Sequence, residues 1–366
     1  MKMKDLTPAE VFPPGEILRE ELEARGWSQA DFAEIIGRDP ALVSEIISAK
    51  RIITPDTACA IGEALGTSAQ VWLNLEAEYR LHRTGANRPI SGNIARRADL
   101  FTKYPIREMI KRGWIERTPV VDDLEIELKQ FFSKQLPYAA RKAEDKSKEP
   151  LQLAWICRTR QASKRISVGK YSDSKLERAL DELKKIIPYP EEITSVSRIL
   201  GEAGIRFLLV EALASSKIDG VCFWDAGVPV VAISMRFDRI DHFWFTVMHE
   251  LYHVKYRHGV HTAMLDTGLY ERDDSISSEE NLADAGAEEF LIPKDEFQRF
   301  VARVHPLFTP MQIQGFSKRI GVHPGIVVGR LQYEGFIDYK QHRKMLVKVR
   351  DKATSTSVYD GWGMVA

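Results

Sequence analysis

Apolar positions in the first 85 residues recur at helical spacing, in short runs closed by glycine. "EILREELEARGWS" follows Pro14 and Gly15 and puts Ile17, Leu18 and Leu22 on one face. Ser28 caps "SQADFAEIIG", which Gly37 ends. Asp39, with Pro40 at the first helical position, opens "PALVSEIISAK". Thr54 and Pro55 open "TPDTACAIGEALG", which Gly66 stops, and "SAQVWLNLEAEYRL" supplies a fifth amphipathic segment. Five short helices with glycine-bounded turns predict a helix-turn-helix bundle.

The pattern then changes. "GANRPISGN" reads as a turn-rich linker, residues 94–135 as further helices including "YPIREMIKRGWI", and "ARKAEDKSKEP" as an exposed charged linker or loop. "SDSKLERALDELKKII" is an amphipathic helix ended by Pro188. "GIRFLLVEAL" and "GVCFWDAGVPVVAIS" are rich in β-branched and aromatic residues and read as strands. The second splits at Asp225-Ala226-Gly227 into a tight hairpin, and "VPVVAIS" reads as an edge strand able to hold an extended substrate. A helix over "HELYH" follows, then a polar stretch to about Ser278, then the helix "EENLADAGAEEFLI" stopped by Pro293. The tail from Pro310 to Tyr339 is helical. Its Val322, Ile326, Val327, Val328 and Leu331 read as packing, although its capped-helix pattern also suits a second reader of nucleic acid or substrate.

Composition narrows this picture modestly. At 366 residues the chain is long enough for two or three domains with cores of their own. Its 52 basic and 52 acidic residues cancel, so any basic face must be local. Cys59, Cys157 and Cys222 are far apart, which suggests neither a disulfide framework nor a thiolate zinc site and fits a reducing cytoplasm. The N-terminus carries no apolar signal segment, and no run of about 18 apolar residues occurs, so a cytoplasmic protein without a membrane span is expected.

The chemistry concentrates in "FTVMHELYHVKYRH". Five of the nine histidines fall between His242 and His261. On a helix, His249 and His253 share a face and could both reach one zinc ion at about 2.0–2.1 Å. Glu250 points to the side, where it could take a proton from the attacking water. A site of this class needs a third protein ligand and keeps one position for water. His258 is one candidate, but no His-x-x-Gly-x-x-His extension is present. Glu280, 27 residues after His253, is the better one, with Asp284 four residues on to orient a ligand histidine. The plainer alternative is a solvated helix start, where Glu279, Glu280 and Asp284 suit the helix dipole. Tyr256, His258, His261 and Tyr270 are open candidates for an oxyanion partner, and the loop His258–Ser278 for a gate.

"FTVMHELYHV" and "EENLADAGAEEFLIP" resemble the two motifs of the ImmA/IrrE family of zinc metallopeptidases, over about residues 190–345. The resemblance implies zinc, the ligands His249, His253 and Glu280, the base Glu250, and Asp284 behind them. It departs from the usual pattern at Gly286, where a bulky aromatic is common, and at Tyr252, where a glycine is frequent. The first 85 residues resemble the HigA-type antitoxins of the XRE helix-turn-helix class, "WLNLEAEY" being a hallmark. The combination resembles the longer HigA-related regulators fused to an ImmA/IrrE domain.

The expected fold class is α+β. An all-α helix-turn-helix bundle precedes a zincin-like, gluzincin-type domain with a small mixed sheet and a helical tail. The expected domains are 1–85, a helical connector and charged linker over 86–150, and the peptidase domain over 151–366. In the resembled class the base readers come from the start of "DPALVSEIISAK", here Asp39, Pro40, Ala41, Ser44 and Glu45, two of which carry the wrong sign for DNA. Gln29, Arg38, Lys50 and Arg51 remain for phosphate contact, with Ser44 for a base edge. The expected function is a cytoplasmic antitoxin or transcriptional regulator with an endopeptidase domain that cuts a protein partner, a repressor or a toxin. The alternative is a non-catalytic antitoxin that binds DNA and a toxin and uses the zincin fold as a sensor or scaffold. A homodimer is the expectation of the helix-turn-helix class.

Overall fold

A computed structural model describes residues 11–84, 92–133, 138–140, 149–267 and 277–365. The chain divides into two compact units, Met1–Ala95 and Arg96–Ala366. The linker residues 85–91 and the charged stretch 141–148 lie outside the described residues.

The first unit is five helices, α1 (Pro14–Arg25), α2 (Gln29–Ile35), α3 (Pro40–Ile47), α4 (Pro55–Leu65) and α5 (Ala69–Arg83). The caps anticipated in the sequence are made. Ser28 and Asp31 form a reciprocal capping box, Asp39 accepts from the Ala41 amide, and Thr54 and Ser68 cap α4 and α5. Leu18, Leu22, Phe32, Val43, Ile46, Ile61 and Trp72 close one core. Gly15 lets α1 touch α3, since a Cβ there would sit 2.2 Å from the Ile46 carbonyl oxygen.

The second unit is built on a mixed six-stranded sheet. Its strands are β1 (Tyr138–Ala140), β2 (Arg206–Val210), β3 (Ile218–Asp225), β4 (Val228–Ile233), β5 (Ala263–Thr267) and β6 (Val358–Asp360), in the order β1-β5-β3-β4-β2-β6. The β3–β4 hairpin turns on Ala226 and Gly227, both at positive φ, as a two-residue primed turn requires. Alternate residues serve two cores. Phe207, Leu209, Cys222, Val231 and Ile233 face the helix Ile240–Lys255 and the tail helices. Leu208, Val210, Val221, Phe223, Val230 and Ala232 face the helices Ile106–Lys111, Val121–Phe131 and Glu149–Ser163. Burial on both faces explains why these strands read as near-continuous apolar runs.

Three findings differ from the sequence reading. β4 lies between β3 and β2, so Val228–Ile233 is an interior strand with no free edge for a substrate. Residues 106–132, read as a connector, supply Ile106, Met109, Trp114, Leu124, Leu128 and Phe131 to the second core. The polar stretch after the "HELYH" helix contains a buried strand, β5, while residues 268–276, including Tyr270, lie outside the described residues. In the tail, Val322, Ile326, Val327, Val328 and Leu331 are buried in the first of the two sheet cores, which assigns them to packing. Asp360 on β6 is buried, accepts from Trp114 Nε1 at 2.8 Å and pairs with Arg158 at 2.6 Å, so its charge has a partner.

Candidate metal centre and helix-turn-helix face

The helix Ile240–Lys255 is buried along most of its length, between the sheet and the tail. His249 and His253 sit one turn apart on it, and their Nε2 atoms are 2.9 Å from each other. The helix Ser278–Leu291 packs across them, with Ala283 and Ala287 buried. Small residues there let the two helices approach. Ser277 caps it by accepting from the Glu280 amide, and its first turn delivers Glu280 to the histidines. Glu280 Oε2 lies 3.3 Å from His249 Nε2, and Oε1 lies 3.6 Å from His253 Nε2.

Both rings are also held from behind. Asp284 Oδ1 is 2.9 Å from His249 Nδ1, and His258 Nδ1 is 2.9 Å from His253 Nδ1. His258 is itself docked on β3, where Trp224 Nε1 donates to its carbonyl at 3.1 Å. It therefore meets the outer nitrogen of His253, on the side of the ring away from His249 and Glu280. Tyr256 is exposed, as is His261.

Asp266 joins the cluster from β5, and the sequence reading did not single it out. Its Oδ1 is 3.2 Å from His249 Nε2. The pleat sends Ala263 and Leu265 into the second core and Asp266 to the opposite face. A β-bulge at Asp219 sets Asp266 opposite Gly220. That glycine makes room for the base candidate, because a Cβ at 220 would lie 2.0 Å from Glu250 Oε1 and displace its carboxylate. The readable signal was slight: one acid behind three apolar residues, Ala263-Met264-Leu265, in a polar stretch.

His249, His253, Asp266 and Glu280 offer four donor atoms within 4.8 Å of one another, all buried. Two imidazole nitrogens 2.9 Å apart and facing carboxylates need a proton or a cation between them. A tetrahedron with metal–ligand bonds of about 2.0–2.1 Å has edges of roughly 3.3–3.4 Å; four of the donor pairs lie 2.9–3.6 Å apart, close to that edge, in a cluster that spans up to 4.8 Å. The electrostatics point the same way. Burial opposes the His249 imidazolium, but the Asp266, Asp284 and Glu280 carboxylates outweigh it and hold the ring well above its usual range. Burial likewise opposes the Glu280 carboxylate, yet His249 and His253 hold it well below the usual range. Glu250 is pushed well up, first by burial and then by the charge of Asp266.

Gly286 and Tyr252, the two departures from the resembled pattern, meet. A Cβ at 286 would lie 2.3 Å from Tyr252 Cδ1, so the ring fills the space that a side chain at 286 would take.

On the first unit Gln29, Arg38, Ser44, Lys50 and Arg51 are all exposed. The two acids that weigh against DNA are engaged elsewhere. Asp39 Oδ1 accepts from the Ala41 amide at 2.8 Å, and Glu45 pairs with Arg51 at 3.0 Å. The second contact also occupies one of the expected phosphate contacts.

Comparison with known proteins agrees with this division. Residues 18–72 match the helix-turn-helix family, and residues 202–331 match the family described as the IrrE N-terminal-like domain, a peptidase family. The chain is 42% identical over 69 residues to virulence-associated protein I of Dichelobacter nodosus, spanning 19% of this chain and 64% of that one. It is 32% identical over 68 residues to the HTH-type transcriptional regulator YddM of Escherichia coli K12, spanning 19% of this chain and 72% of that one. Among solved structures, the Pseudomonas aeruginosa antitoxin HigA with the higBA promoter is 37% identical, with 21% of this chain and 86% of that one covered and a TM-score of 0.21. An addiction module antidote protein of the HigA family from Coxiella burnetii is 32% identical, with 21% and 90% covered and a TM-score of 0.20. Among the described residues, no helix is long and apolar enough to cross a membrane. The chain belongs to the XRE-type helix-turn-helix family of regulators and antitoxins and carries, behind that domain, an IrrE-like domain of a peptidase family.

Proposed function

We propose that the chain is a DNA-binding regulator of antitoxin type whose second unit is a zinc-dependent endopeptidase acting on a protein partner, a repressor or a toxin. The convergence of His249, His253 and Glu280 beside a buried Glu250 carries this reading. His249, His253 and Glu280 would hold the ion, and Asp284 and His258 fix the two rings. When bound, zinc would act as the Lewis acid for the scissile carbonyl and the attacking water. Glu250 accepts the proton of that water and passes it to the leaving amine, in space that Gly220 keeps free. A buried carboxylate outside the donor set is a cost to stability that a plain scaffold has no use for. In the first unit Gln29, Arg38 and Lys50, with Ser44 and Arg51, form the surface for operator DNA, and the protein acts as a dimer.

Purified protein should hold about one zinc per chain, and Glu280→Ala should lose most of it. Co-expression with the product of the adjacent gene tests the activity. Cleavage of that product, abolished by Glu250→Gln with the metal retained, is the expected result. Binding without cleavage would leave a non-catalytic antitoxin. One observation favours that second reading, since Asp266 brings the protein donors to four, the number found in structural zinc sites.

A further inference from the structure

Asp266 has no role in a three-ligand hydrolytic site, which keeps one position for water. Yet its carboxylate lies 3.2 Å from His249 Nε2, closer than Glu280 does. We propose that Asp266 is a fourth protein donor that shuts the metal centre, so that the folded chain is a latent peptidase. This rests on the metal reading above and goes beyond it, because it assigns the folded chain an inactive state with a defined way out.

Three observations converge. All four donor residues are at most 1% exposed, so their donor atoms are turned inward on one another and not presented to solvent. Asp266 is presented by a strand paired on both sides, antiparallel to β3 and parallel to β1, which keeps its carboxylate at the cluster. Glu250 lies beside Asp266 over Gly220, so the latch and the base share the space that an attacking water needs.

A purely structural four-donor site explains Asp266 but leaves Glu250 as a buried acid with nothing to do. A permanently open site explains Glu250, with Asp266 beside it as a positioning group, but leaves the 3.2 Å approach of Asp266 to His249 Nε2 without a purpose. A latch accounts for both. Opening would be an exchange of ligands, in which the Asp266 carboxylate would give up its position at a bound ion, keeping its negative charge, and a water would take it. No covalent bond changes. The exchange needs β5 to move away from Gly220, a step that a bound partner can drive through its own contacts.

The test uses the full-length chain loaded with cobalt(II), with acetohydroxamate as the probe and the visible ligand-field bands as the readout. The wild type is expected to hold one equivalent of cobalt and to show no band shift with acetohydroxamate. Asp266→Ala is expected to keep the cobalt and to shift its bands on adding the probe. A wild type that shifts as the variant does overturns the latch while leaving the metal reading intact. So does an Asp266→Ala protein that stays inert to the probe. If Asp266→Ala and Asp266→Asn both lose cobalt that the wild type holds, Asp266 is an indispensable ligand and the latch is overturned. A wild type that binds no cobalt removes the metal reading itself.

Discussion

The two units use acidic residues in opposite ways. On the helix-turn-helix face, Asp39 turns onto a backbone amide and Glu45 onto Arg51, and both sit where water can solvate them. In the second unit, Asp266 and Glu280 are buried against His249 and His253, and Glu250 is buried beside Asp266. A surface acid needs no partner and says little about function, because an exposed ion pair contributes only about 0–1 kcal/mol. A group of buried carboxylates cannot persist without cations or protons, so the same residue type becomes informative through burial alone.

The sharpest way to break this comparison is to remove the ion. On treatment with a chelator, the melting transition of the second unit should fall by roughly 10 °C or more, since several kcal/mol of binding energy are lost at about 2–4 °C per kcal/mol. The transition of the first unit should not move, and calorimetry with and without chelator checks this. The metal-free protein should also show a distinctive pH dependence. Glu280 is held below its usual range, so its contribution is present above about pH 4.3 and is lost as the pH falls. His249 is held above its usual range, so its contribution is complete below about pH 6.5 and is lost as the pH rises through its raised value. Glu250, pushed well up by burial, contributes fully only below about pH 4.3 and weakens as the pH rises, so chelated protein should be most stable near the lower of those limits. A flat profile there would argue that the histidine–carboxylate cluster is not formed.

Gly220→Ala should come next in size. Its Cβ would meet Glu250 Oε1 at 2.0 Å, so the side chain of the base must move. Proteolysis should fall by about 10²-fold, with the metal content unchanged. Unchanged turnover would separate Glu250 from the chemistry.

Gly286→Phe should destabilise the second unit by about 1–3 kcal/mol through collision with Tyr252. Adding Tyr252→Gly should recover much of that loss, a coupling that denaturant melts of the full mutant cycle can measure. Additive losses would show that the two positions do not compensate.

The smallest effect belongs to the exposed unit. Glu45→Gln frees Arg51 and should change stability by no more than about 0.5 kcal/mol. Operator binding should tighten and the salt dependence steepen by about one unit of slope, as one more phosphate contact becomes available. Gel shifts over a salt series check it, and no binding at low salt would remove DNA from the function of this face.

Much of the architecture was readable because it is written locally. The caps at Ser28, Asp39 and Thr54, the stop at Gly66, the Ala226-Gly227 turn and the spacing of Leu176, Ala179, Leu180 and Leu183 each depend on residues within a few positions of one another. The edge-strand reading of Val228–Ile233 failed for the opposite reason. Which strand ends up at an edge depends on how separate strands pair, here on β2 adding in parallel to the far side of β4 across the intervening β3. Asp266 was missed because a five-residue strand in a polar stretch has no periodicity of its own, and only pairing with β3 fixes its direction.

The sequence by itself determined the helix-turn-helix, the central hairpin and the helical pairing of His249 with His253, because helix spacing and turn chemistry are properties of a few consecutive residues. The tertiary structure alone decided that Asp284 and His258 stand behind the two rings, that Gly220 opens room for Glu250, and that Asp266 faces His249. Those contacts join strands and helices far apart in the chain, and their geometry is set by a two-sided core that no short stretch encodes.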